Sequence, residues 1–144
     1  MTDIKRRKKS YSAQYIIDHE HEAIHRELTR LHEAIIGGKG LPAIFGAADA
    51  LIAKTLTHFR HEEKILAVVG YEGLSQHRAA HIFLLKEIQE IKMGLLERQI
   101  TSALHLARFF SSSILDHFML EDVKFEDAIR AAVHVGALPI VASV

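Results

Sequence analysis

What most constrains this 144-residue chain is a polar intrusion: histidines and acids recur where a helical pattern calls for inward-facing apolar residues. Ile17, His21, Ile24, Leu28, Leu31 and Ile35 follow one another in alternating steps of four and three, the seam of a helix packed in a bundle. A second seam reads Leu51, Thr55, His58, Glu62, Ile65, Val69, and a third Leu74, His77, His81, Leu84, Ile88, Ile91, Leu95. The fourth carries Ala103, Ala107, Phe110, Ile114, His117 and then Glu121 or Asp122. His58 and Glu62 stand about 40° apart around an α-helix and roughly 6 Å apart along it, so imidazole and carboxylate point the same way. Polar groups in consecutive inward positions are costly unless something satisfies them.

The breaks between seams are equally legible. Gly37-Gly38-Lys39-Gly40 ends the first helix, and Pro42 suits the first turn of a second that runs from about Leu41 to Val69. Gly70-Tyr71-Glu72-Gly73 precedes the third, and the short link at Glu97-Arg98-Gln99 fits antiparallel neighbours. An amphipathic piece from Phe125 to about Val135 leads into an apolar tail over 136–144, and a basic arm occupies 1–11. The expectation is one all-α domain over 12–135, an antiparallel up-down-up-down four-helix bundle with a short C-terminal helix and tail.

Composition removes several function classes. Eighteen basic and eighteen acidic residues balance, which argues against a polyanion binder, so no nucleic-acid partner is expected. The absence of cysteine excludes disulfides, thiolate catalysis, Cys–zinc sites and Fe–S clusters. No segment approaches the roughly 20 apolar residues of a membrane span, and no apolar stretch follows the basic run in the manner of a secretory signal. A cytoplasmic protein with no membrane partner is expected. The run Lys5-Arg6-Arg7-Lys8-Lys9 reads as a solvated arm, and that arm or the apolar tail is the place to look for a protein partner.

Histidine is the anomaly, with 11 residues against eight glycines. His21, His58, His77, His81 and His117, with Glu62 and an acid at 121 or 122, are too many donors for one tetrahedral zinc. They suit two metal ions bridged by carboxylates, since imidazole binds Fe, Zn, Cu and Ni well. Ferritin-like di-iron sites use more glutamate than histidine, the opposite proportion.

Four motifs then carry a family resemblance: Ile17-Asp18-x-Glu20-His21, His58-Phe59-x-x-Glu62-Glu63, His77-x-x-x-His81 and His117-Phe118-x-x-x-Asp122-x-x-Phe125. In this order they resemble the hemerythrin family over nearly the whole chain beyond the arm. The resemblance implies a non-haem centre of two iron ions inside the bundle, joined by a solvent-derived bridge and binding O2 reversibly. By the same resemblance His77, His81 and His117 hold one iron, His21 and His58 the other, and Glu62 and Asp122 bridge them. The iron with two histidines keeps a position for O2, walled by residues such as Ile24 and Ile114.

Helical register alone favours Glu121, because an offset of five from His117 lies about 140° around the axis. The family frame selects Asp122, with Lys124 and Phe125 at its following positions. His25 and His61 are expected beside the ligands or facing solvent, and His19, His32, His105 and His134 at the surface or helix boundaries. One departure stands out: hemerythrins commonly carry a tryptophan four residues before the fourth-helix histidine, and here that position is Ser113 in a chain without tryptophan. A small polar residue there would open a path to the metals and shorten the life of an O2 adduct. The expected function is O2 carriage, storage or buffering rather than catalysis. The alternatives are a redox sensor or signalling module working through a terminus, and a peroxide- or nitric oxide-reducing enzyme.

Overall fold

The computed structural model describes residues 12–134; the basic arm and the apolar tail fall outside them. Helix α1 covers Ser12–Ile36, α2 Leu41–Val68, α3 Leu74–Leu96 and α4 Ile100–Asp116. One turn of π-helix, His117–Glu121, leads from α4 into α5, Val123–His134. There is no strand among the described residues. Consecutive helices pack side by side and the chain is an all-α four-helix bundle with a short C-terminal helix, as the seams predict.

The three links share one device. After α1, α2 and α3 the backbone turns left-handed at Gly38 (φ 62°), Gly70 (φ 67°) and Arg98 (φ 58°). The next amide then donates back to the helix, from Lys39 to Ala34 O (3.0 Å), Tyr71 to Leu66 O (3.0 Å) and Gln99 to Gly94 O (2.8 Å). This satisfies carbonyls that a helix end leaves orphaned. Glycine adopts that backbone without strain, whereas the Cβ of Arg98 does not. Arg98→Gly is expected to stabilise the chain by about 0.5–1 kcal/mol, the relief of strain less the added chain entropy of glycine. Chemical denaturation checks it, with a higher midpoint at unchanged slope.

The core divides in two. Ile24, Leu28, Leu31, Leu51, Leu84, Ile88, Phe110 and Ile114 belong to a larger cluster toward the α1–α2 link. Ile17, Ile65, Leu66, Phe125 and Ile129 form a smaller one, where α5 covers the opposite end. His21 lies in sequence between Ile17 of one cluster and Ile24 of the other, and Glu62 between Phe59 and Ile65. The inward polar residues therefore fill a layer between two apolar plugs. The helix pair α1–α4 is held more loosely than α1–α2 or α3–α4. It leaves a groove of about 530 Å³, walled by Ile24, Leu28, Ile114, Leu115 and Phe118, with His21 at its lining.

Candidate metal centre

The six residues singled out from the seams and Asp122, which the family frame selects, all converge. His58 and Glu62 are fully buried, His77, His81, His117 and Asp122 nearly so, and His21 is half-buried. They sort into two groups whose donor atoms lie within 4.8 Å of one another: Glu62, His77, His81 and His117 in one, His21, His58, Glu62 and Asp122 in the other.

The carboxylates lie between the groups. Glu62 Oε1 is 2.5 Å from His77 Nε2 and 3.0 Å from His81 Nε2, while its Oε2 is 3.0 Å from His58 Nε2 and 3.7 Å from His21 Nε2. Asp122 Oδ1 is 3.1 Å from His77 Nε2 and 3.2 Å from His117 Nε2, and its Oδ2 is 3.0 Å from His21 Nε2. Each acid thus turns one oxygen toward each cluster of imidazoles.

These short separations are mostly not hydrogen bonds. Nε2 of His21, His58, His81 and His117, Oε2 of Glu62 and both oxygens of Asp122 are buried without a hydrogen-bond partner. Buried polar atoms are rarely left so. Donors at right angles around an ion with bonds of about 2.1 Å stand about 3 Å apart with their lone pairs aimed at a common point. The residues present therefore fit a pair of metal ions.

The outer ring atoms support the same reading. His58 Nδ1–H donates to Glu20 Oε1 (3.1 Å) and His81 Nδ1–H to Glu63 Oε1 (3.1 Å). A proton fixed at Nδ1 leaves Nε2 as the free donor directed inward. Phe59 stacks on His81 at 3.8 Å between ring centroids, and Phe118 on His21 at 3.6 Å, so packing holds both rings as well.

Charge balance follows. Burial pulls the imidazoles down, but the Glu20 and Glu62 carboxylates hold His58 up at about 9. Asp122 and Glu62 likewise outweigh burial at His77, also at about 9. Burial favours the neutral acid, yet His117, His21 and His77 keep Asp122 at about 2. Four imidazoles hold Glu62 well below the ordinary carboxylate range. Without metal, the layer is a salt-bridged network.

The acid at the end of α4 depends on the π turn. The Asp122 amide donates to His117 O at 3.0 Å, a five-residue step that an α-helix does not make. The extra residue swings Asp122 inward over His117, while Glu121 faces outward and pairs with Lys124 at 3.1 Å. Asp122→Ala is expected to abolish binding of a second metal ion, and Glu121→Ala to leave both ions in place. Metal analysis of the two variants side by side checks this.

The remaining histidines divide. His61 Nδ1 is 2.7 Å from Glu20 Oε2, beside a ligand candidate as expected. His25 is exposed on the rim of the α1–α4 groove, and His19 and His105 face solvent. His32, expected at the surface, is half-buried with Ser111 Oγ 3.3 Å away. Ser113 contacts Glu87 Oε1 at 3.4 Å and lines a shallower groove of about 290 Å³ together with Leu84, Phe83 and His117. Glu20 and Glu63, which the seams do not single out as site residues, emerge as the partners of His58 and His81.

A four-helix bundle with a buried, histidine-rich, carboxylate-linked pair of metal positions defines a class of binuclear metal proteins. The sequence model of the hemerythrin HHE cation binding domain matches residues 12–129, and the chain belongs to the hemerythrin family. It is thus an iron-binding domain. It is similar to the bacteriohemerythrin of Pseudomonas aeruginosa (strain LESB58), 26% identical over 115 residues that cover 80% of this chain and 74% of that protein. It is also similar to the bacteriohemerythrin of Stenotrophomonas maltophilia (strain R551-3), 24% identical over 116 residues, 81% of this chain and 74% of the relative. No solved structure matches the chain. No helix among the described residues is long and apolar enough to cross a membrane.

Proposed function

We propose that this chain binds O2 reversibly at a non-haem di-iron centre and acts in the cytoplasm as an oxygen carrier, store or buffer rather than as an enzyme. His77, His81 and His117 would hold one iron, His21 and His58 the other, and Glu62 and Asp122 would bridge the pair. The observation that carries this reading is that both buried carboxylates present one oxygen to each imidazole cluster. A ferrous pair held there would provide the two electrons that reversible O2 binding requires.

The protein's part is to keep that exchange reversible. Ile24, Leu28, Ile114, Leu115 and Phe118 make most of the lining beside His21 apolar, which keeps proton donors there few, with His25, His32 and Ser111 among the proton-bearing groups of the same groove. Glu62 and Asp122 are held ionised by the surrounding imidazoles, so both arrive ready to bridge two cations. Glu20 and Glu63 fix the rings of His58 and His81, so metal binding needs little rearrangement.

A second reading, reduction of peroxide or nitric oxide, draws on the groove that brings Ser113 and His117 to a common surface. Admitting O2 to the reduced, iron-loaded protein separates the two. A visible band that appears with O2 and disappears under vacuum, over repeated cycles, is the expected result. Passage in one cycle to a stable ferric spectrum, with turnover once a reductant is supplied, would favour the enzyme.

A further inference from the structure

Glu20 sits one residue outside the inward set, yet its carboxylate is the hub of a three-residue clamp. Oε1 accepts from His58 Nδ1 at 3.1 Å, and Oε2 faces His61 Nδ1 at 2.7 Å. His58 is fully buried in the metal layer, whereas His61 is one third exposed. The clamp ties α1 to α2 across the line where His21 and His58 approach with ring centroids 4.7 Å apart. A groove of about 300 Å³ between α1 and α2, lined by Glu20, Ala23, Ala53, Lys54 and Thr57, opens on it.

Glu63 makes the matching contact on the other side, to His81 Nδ1 at 3.1 Å. His58 belongs to the two-histidine position and His81 to the three-histidine one. Each metal position therefore has one imidazole braced by its own outer carboxylate, and the two braces differ. Glu20 is itself held by His61, while no other side chain is hydrogen-bonded to Glu63 among the described residues.

We propose that Glu20 and Glu63 are positioning residues that set the affinities of the two metal positions separately, Glu20 through His58 and Glu63 through His81, with His61 locking Glu20 in place. The inference rests on the ligand assignment above. Its physical basis is that an outer carboxylate fixes the imidazole tautomer, holds the ring in plane and raises the basicity of the inner nitrogen. The position with fewer imidazoles has fewer other donors to compensate, which makes the doubly held Glu20 the stronger lever.

The test is a stepwise anaerobic titration of the metal-free full chain with Co2+, followed by visible absorption, because positions with two and three imidazoles absorb differently. For the wild type two steps are expected. Glu20→Gln should weaken the step of the two-histidine position by roughly 10–100-fold and leave the other in place. Glu63→Gln should do the reverse. His61→Phe should shift the same step as Glu20→Gln by a smaller factor.

Circular dichroism of each variant shows whether the bundle is intact. A merely structural role would weaken both steps together or reduce the folded fraction, and either result would overturn the assignment. So would two unchanged steps in Glu20→Gln. A wild-type chain that takes up one Co2+ would overturn the ligand assignment itself, and this inference with it.

Discussion

Glu62→Gln is expected to bring iron uptake from two ions per chain to less than one while the helices stay intact. Glutamine keeps the volume and one acceptor oxygen but has no second anionic oxygen. Glu62 is the residue common to both donor groups, facing His77 and His81 through one oxygen and His58 and His21 through the other. Its loss therefore removes a bridge and a charge from both positions at once. The remaining five imidazoles and Asp122 would hold two divalent ions too close together with too little negative charge between them. Iron analysis after anaerobic loading, beside the far-ultraviolet circular dichroism spectrum, reads the two consequences separately. Two ions bound to the variant would show that Glu62 does not bridge.

Removing the metal is expected to expose a pH dependence opposite to that of iron binding. In the metal-free chain His58 and His77 are raised to about 9, so folding favours their protonated forms. Their contribution is complete below the ordinary histidine value of about 6.5 and is lost as pH rises through about 9. Asp122 is lowered to about 2, so its contribution is complete above the ordinary carboxylate value of about 4 and is lost as pH falls through about 2. Metal-free protein should thus be most stable between roughly pH 4 and 6.5. Iron must displace the ring protons, so its affinity should rise with pH across the range in which the metal-free chain weakens. Thermal melts of both forms from pH 5 to 9 check the crossing. A metal-free melt that climbs over that range would contradict the network described.

Much of this arrangement is written in the seams. Each inward histidine from His58 to His117 is buried at the depth its spacing predicts, because helical period decides which face meets the core. The end of α4 is different. His117-Phe118-Met119-Leu120-Glu121 contains no glycine or proline to signal a departure from α-geometry, so register points to Glu121. The π turn brings Asp122 to His21 on α1 and His77 on α3, a tertiary preference that local sequence does not express. The family frame, which encodes that outcome, reaches Asp122.

Glu20 and Glu63 were hidden for a related reason. Each lies one position from the seam, about 100° around the helix, where period alone assigns a residue to the flank. Their carboxylates reach the outer nitrogens of imidazoles on neighbouring helices, a contact set by how the helices are spaced. The α1–α4 groove is likewise a product of packing, because no single-helix pattern reports how closely two helices approach.

The most direct test is a crystal structure of the iron-loaded chain with anomalous data at the iron edge. Two iron peaks in the layer between the apolar plugs are expected, with one ringed by His77, His81 and His117 and the other by His21 and His58. Glu62 and Asp122 should span both. A single peak, or Glu121 in place of Asp122 against the metal, would contradict the account.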